Sequence, residues 1–246
     1  MLFRCTINGL EGEAVYSERS VEEIFRPLLR SLCQLQREKG RRILVMLAAP
    51  PGAGKSTLSL FLQKLSEDDP ALTPLTAIGM DGFHCFRDYL AAHTIIRDGR
   101  EIPLSKIKGA PETFDLGKLR ERIEQLRSGE PTPWPHYDRT LHDPVDGAIL
   151  VTGDIVLLEG NYLLLDEPGW RDLKALADYT IRIDAPEDCL YERLVARKAR
   201  SGALDLQKAV DHVTYSDIPN VRRCLDHSFE GDLNLRMLPD GEYVLR

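Results

Sequence analysis

The stretch Ile43-Leu44-Val45-Met46-Leu47-Ala48-Ala49-Pro50-Pro51-Gly52-Ala53-Gly54-Lys55-Ser56-Thr57 sets an apolar run directly against a glycine-rich turn that ends in Gly-Lys-Ser. Beyond it Leu58, Phe61, Leu62 and Leu65 recur at i, i+3, i+4 and i+7, the period of an amphipathic helix. Strand, glycine-rich turn and helix in that order make a phosphate-binding loop. Its glycines let backbone N–H groups converge on phosphate oxygens, and the positive end of the helix adds to the same field. Pro51, Gly52, Ala53, Gly54, Lys55, Ser56 and Thr57 are therefore the expected contacts of a nucleoside triphosphate. Lys55 reaches for the β- and γ-phosphates, and the Ser56 hydroxyl is placed to ligate Mg²⁺. Ala49 stands where the strict pattern has its first glycine, a place that a small residue fills.

The chain has 246 residues, and its hydrophobic content of 43% is ordinary for a globular protein, so residues 1–246 read as one α/β domain with short appendages. A net charge of −7 gives no basic footprint, which disfavours a nucleic-acid partner held by its phosphates. Cys5, Cys33, Cys85, Cys189 and Cys224 are odd in number, far apart and without a C-x-x-C pair, so they read as free thiols in a reducing compartment. Arg4, Glu11 and Glu13 interrupt any apolar signal region, and the run Ile43 to Pro51 is too short to span a bilayer. A cytoplasmic location without a membrane partner is expected, and a homodimer is left open.

Outward from the loop, residues 2–16 alternate around Asn8-Gly9 as a β-hairpin, and Val21, Ile24, Phe25, Leu28, Leu29, Leu32 and Leu35 form a helical stripe. Together residues 1–40 read as a cover on the main sheet. Leu75 to Met80, Ile155 to Glu159 and Tyr179 to Ile183 are further strands, and a helix over Pro186 to Arg200 follows the last. Residues 82–146 read as a long excursion, with a helix carrying Leu116, Leu119, Ile123 and Leu126. Pro131, Pro133 and Pro135 are expected to forbid regular structure after it. Leu233 to Met237 and Tyr243 to Leu245 pair across Pro239-Asp240-Gly241. The expectation is a phosphate-loop NTPase fold: a mostly parallel five-stranded sheet flanked by helices, with β-hairpin additions at both ends and ligands at the strand carboxyl ends.

Phosphoryl transfer needs a held triphosphate, a metal-supporting carboxylate, a group to orient the acceptor and cations over the developing charge. Asp81 and Glu159 both sit where an apolar strand ends beside glycine, so both should emerge on the rim that carries the loop. Asp81 alone would read equally well as a turn aspartate. A carboxylate closing a strand of Ile, Val and Leu is costly without a cation or donors, which gives Glu159 a role beside Mg²⁺. Arg193 and Arg197, with Arg200, share one helix face and form a candidate lid over residues 193–202, hinged at Ser201-Gly202. His84, Lys108, Tyr137, Arg139 and His142 concentrate in the excursion and suit a small hydroxylated acceptor. A zinc site from His84, Cys85, His136 and His142 lacks metal spacing.

These residues resemble the superfamily of phosphate-loop kinases that contains uridine kinase, phosphoribulokinase and pantothenate kinase. Met80-Asp81-Gly82-Phe83-His84 resembles its second-strand motif, whose aspartate serves as base toward the acceptor hydroxyl. Lys108-Gly109-Ala110-Pro111-Glu112-Thr113-Phe114-Asp115 is similar to a segment of bacterial pantothenate kinases, and Trp134 to Arg139 and Leu157 to Asn161 have counterparts too. With His142 to Val145 and Asp217 to Asn220, the chain is most similar to a bacterial branch labelled fructose transport system kinases or nucleoside triphosphate hydrolases. The resemblance implies ATP and Mg²⁺ as cofactors, Glu159 near the metal, Asp81 near the acceptor and, by position alone, Asn220 near adenine. Arg193 to Arg200 lack the fuller arginine pattern of uridine kinases, and Trp134 to Arg139 differ from pantothenate kinases.

The leading expectation is phosphorylation of a hydroxyl on a small metabolite, with a sugar or sugar derivative ahead of a nucleoside or pantothenate. The reading from another class is an ATPase acting as a nucleotide-dependent switch for a protein partner. The guanine signature of GTPases is absent.

Overall fold

The structure, a computed structural model, describes residues 1–7, 10–97, 99–200 and 205–246. Its strands are β1 (Leu2–Ile7), β2 (Leu10–Val15), β3 (Ile43–Ala48), β4 (Leu75–Gly79), β5 (Thr94–Arg97), β6 (Arg100–Pro103), β7 (Thr132–Asp138), β8 (Asp143–Val151), β9 (Ile155–Gly160), β10 (Tyr179–Asp184), β11 (Leu233–Met237) and β12 (Tyr243–Leu245). The helices are α1 (Arg26–Lys39), α2 (Lys55–Asp68), α3 (Arg87–Ala92), α4 (Leu116–Arg127), α5 (Glu187–Arg200), α6 (Leu206–His212) and α7 (Ile218–His227). The predicted turn at Asn8-Gly9 and hinge at Ser201-Gly202 lie outside the described residues.

The main sheet has the order β12-β11-β10-β3-β9-β4. Every neighbouring pair from β11 to β4 is parallel, and β12 runs antiparallel to β11. The tail hairpin forms as expected, but it is part of the sheet rather than an addition, which makes six strands instead of five. β3 and β9 are buried along their whole length, as parallel strands covered on both faces must be. Their side chains alternate between two cores. Ile43, Val45, Leu47, Ile155 and Leu157 face the side of α1 and α2, whereas Leu44, Met46, Val156 and Leu158 face the side of α4 and the excursion. By the same alternation Glu159 points to the α2 side, opposite Leu47 in register.

The excursion is more ordered than its sequence predicts, because its elements are short: α3, the β5–β6 hairpin and the β7–β8 ribbon. The expectation that Pro131, Pro133 and Pro135 forbid regular structure is overturned, since β7 includes two of these prolines. A two-stranded ribbon leaves one edge of each strand unpaired, where a missing N–H breaks no ladder. The register shifts at Pro135, between Trp134 and His136. The ribbon docks on the end of β4 through Trp134, which is fully buried, donates Nε1–H to the Gly79 carbonyl at 2.8 Å and packs edge-on to Phe83 at 4.9 Å.

All five cysteines are unpaired. Among the described residues, no helix is long and apolar enough to cross a membrane.

Candidate active site

The loop between β3 and α2 keeps its shape through contacts made from far along the chain. Gly52 and Gly54 adopt positive φ values of 87° and 79°. A Cβ on Gly52 would also lie 3.1 Å from Leu194 Cγ and 3.2 Å from the Leu190 carbonyl oxygen, so α5 packs directly on the loop. Arg193 Nε donates to the Gly52 carbonyl at 2.8 Å, and the Tyr243 hydroxyl donates to the Ala53 carbonyl at 3.2 Å. Burial pushes the Tyr243 phenol up to about 12, which keeps it a proton donor. No side-chain cap is made at the N-cap Gly54 of α2, which leaves N–H groups of its first turn available to an anion.

Beside that turn the Ser56 hydroxyl donates to Glu159 Oε1 at 2.7 Å, and Lys55 Nζ lies 4.0 Å from Glu159 Oε2. Burial drives the Glu159 carboxyl above the usual carboxylate range, and Asp81 nearby adds to the shift; Lys55 and Ser56 oppose it without cancelling it. Two hard oxygen ligands, one of them on a buried acid that a cation would relieve, fit Mg²⁺, which takes one or two protein ligands and completes its shell with phosphates and water. Among the described residues no cluster of three or more His, Cys, Asp or Glu side chains is placed to hold a metal by itself.

Asp81 sits on a short 3-10 turn, Met80–Phe83, that ends β4. It lines one cleft with Ser56, Glu159, His136 and Tyr137. Gly82 is required next to it, because a Cβ there would fall 2.3 Å from the Pro135 carbonyl oxygen. His84 lies behind Asp81. Its Nδ1 is 2.8 Å from the Asp81 carbonyl oxygen, its ring packs 4.0 Å from Phe114, and burial holds the imidazole below its ordinary pKa. Lys108 Nζ donates to the Tyr137 hydroxyl at 2.8 Å and to the His142 carbonyl at 2.9 Å, so His142 enters this group through its backbone while its side chain is exposed.

Arg139 is exposed on the turn of the ribbon and shares an electrostatic environment with Arg197, Asp81 and Asp217. Arg193 is committed to the loop carbonyl, and Arg200 turns back to the Ala196 carbonyl of its own helix at 3.4 Å. Asn220 is buried in α7, where its amide nitrogen donates to the Ser216 carbonyl at 3.0 Å. Four participants escape a reading of the sequence: Thr6 and Ile7, which line the Asp81 cleft from β1, Tyr243, and Arg223, which ties α7 to Glu167 and Glu112. None carries a local signal, since each acts on a partner remote in sequence.

The profile of the phosphoribulokinase/uridine kinase family matches residues 44–242. A protein of Escherichia coli K12 designated YggC is 42% identical over 99% of this chain and 98% of its own length. The pantothenate kinase of Escherichia coli O1:K1 is 31% identical over 76% of this chain and 65% of its own length. Among solved structures, a protein of Silicibacter sp. TM1040 described as a "putative fructose transport system kinase" superposes with a TM-score of 0.73 at 35% identity, over 84% of this chain and 98% of its own.

Proposed function

This chain belongs to the phosphoribulokinase/uridine kinase family, and on that premise we propose that it transfers the γ-phosphoryl group of ATP to a hydroxyl of a small metabolite. The observation that carries this reading is the placement of Asp81 in one cleft with Glu159 and Ser56, beside the uncapped end of α2. A sugar or sugar derivative stands ahead of a nucleoside or pantothenate as acceptor, supported by the likeness to the 35%-identical Silicibacter protein described as a fructose transport system kinase.

In this mechanism the loop amides and Lys55 hold the triphosphate and spread the charge that develops on the transferred group. Ser56 and Glu159 would hold Mg²⁺, which supplies further charge neutralisation when bound. Asp81 accepts the proton of the acceptor hydroxyl as its oxygen bonds to the γ-phosphorus and the bond to the bridging oxygen breaks, leaving ADP. Arg197 neutralises charge from the α5 side. Arg193 acts through the loop by fixing the Gly52 carbonyl.

The test is ADP release from Mg²⁺-ATP against a panel of sugars, sugar derivatives, nucleosides and pantothenate, with Lys55→Ala as the blank. Strong stimulation by one compound is expected. Slow release indifferent to every compound would overturn the kinase reading in favour of a switch ATPase.

The loop contact from the tail makes a further prediction. Tyr243→Phe keeps the ring in its aromatic cluster but leaves the Ala53 carbonyl without this donor. Loss of one such bond is worth about 1 kcal/mol of stability, so the nucleotide-free protein should melt about 2–4 °C below wild type, read by thermal denaturation.

A further inference from the structure

We infer that the N-terminal β-hairpin is a wall of the acceptor cleft and selects an uncharged, hydroxyl-bearing acceptor with one apolar face. This inference rests on the phosphotransfer reading and deepens it. The family match begins at residue 44, so β1 and β2 lie outside what the profile covers. Yet Thr6 and Ile7, at the inner end of β1, line the same cleft as Asp81, Glu159 and Tyr137.

The hairpin is fixed in that position rather than laid loosely over the sheet. Phe3 packs edge-on against Phe61 of α2 at 5.3 Å, and Tyr16, just after β2, stacks on the same ring at 4.2 Å. The amino group of Met1 closes the open end onto the Tyr16 carbonyl at 2.5 Å. Anchored at its base on α2, the hairpin carries Ile7 toward the cleft. There Ile7, Leu60 and Ile149 supply hydrocarbon, while Asp81 and Glu159 supply carboxylates.

No lysine or arginine lines the cleft among the described residues. A carboxylate or phosphate on the acceptor would therefore face Asp81 while the nearby cations are already engaged, Lys55 at 4.0 Å from Glu159 and Lys108 on the Tyr137 hydroxyl and the His142 carbonyl. A neutral compound with hydroxyls along one edge and carbon–hydrogen surface along the other fits both sides of the cleft. As a wall of the cleft that holds Asp81, the hairpin would also limit transfer of the phosphoryl group to water.

The test uses the full chain with three substitutions: Ile7→Ala, Ile7→Lys and, as a control on the same hairpin, Val15→Ala, whose side chain is largely exposed. Acceptor kinetics are read on the neutral compound that best stimulates ADP release and on its carboxylate analogue, with acceptor-free ADP release and melting temperature measured alongside. Ile7→Ala should raise the KM for the neutral acceptor by about tenfold, leave the KM for ATP unchanged and increase acceptor-free release. Ile7→Lys should shift the ratio of activities toward the carboxylate analogue by a similar factor, and Val15→Ala should match wild type. An Ile7→Ala protein with wild-type acceptor KM and wild-type acceptor-free release overturns the inference. If no compound stimulates wild type, the kinase reading fails separately, and acceptor-free release alone decides: a rise in Ile7→Ala supports the wall, and no change overturns it.

Discussion

Asp81→Asn should lower acceptor-dependent turnover by about 10³-fold while leaving ATP affinity unchanged, because a positioned general base contributes about 10²- to 10⁴-fold. Asparagine has the shape of aspartate and is equally at home in turns, so it preserves the 3-10 turn Met80–Phe83 and the backbone contacts of the Asp81 carbonyl with His84. What it removes is the capacity to accept a proton. The substitution thereby separates two readings that the sequence alone leaves balanced. If Asp81 only ends a strand, the asparagine protein should turn over as wild type does. If it is the base, single-turnover transfer should collapse while nucleotide titration shows an intact loop. The acidic field on Glu159 also weakens in this variant, so the Glu159 carboxyl should move back toward its ordinary range.

The parts of the site that a sequence reading finds are those specified by neighbours in the chain. The loop from Ala49 to Thr57 is legible because strand, glycines and helix adjoin one another, and β9 because an unbroken apolar run ends in an acid. The placement of α4 follows likewise from its period and from Asp115, whose side chain accepts the Lys118 N–H as its cap. Contacts over long separations leave no such trace. Tyr243 meets Ala53 across 190 residues, and nothing around either residue distinguishes that bond from an ordinary tail strand packing on the core. The hairpin of β1 and β2 reads as a cover because its alternation reports which face is buried, not which residue reaches an active-site cleft. Prolines in β7 mislead for the opposite reason: the rule against proline in strands concerns interior strands, and whether a strand is interior is a property of the sheet.

Glu159 carries the second large expectation, and here stability and activity should move in opposite directions. Burial and the nearby Asp81 raise its carboxyl, and the pull of Lys55 at 4.0 Å with the Ser56 hydrogen bond at 2.7 Å does not offset them. A carboxyl whose folded pKa exceeds its unfolded value favours the fold while protonated and loses that contribution as pH rises through the folded pKa. The nucleotide-free wild type should therefore give up stability as pH climbs above the ordinary value of 4.5, whereas Glu159→Gln, which cannot ionise, should not. The expected result is that the glutamine protein melts above wild type near neutral pH without ligand, with the difference shrinking toward acid. Its Mg²⁺-ATP turnover should nevertheless fall about 10²-fold or more, since the anionic oxygen that would help hold the metal is gone. Thermal melts across pH, paired with turnover over a Mg²⁺ titration, read both effects. A variant that melts lower and turns over normally would make Glu159 a structural acid whose task is its bond to Ser56. The opposite pair of results identifies a charge retained at the expense of stability because the bound state needs it.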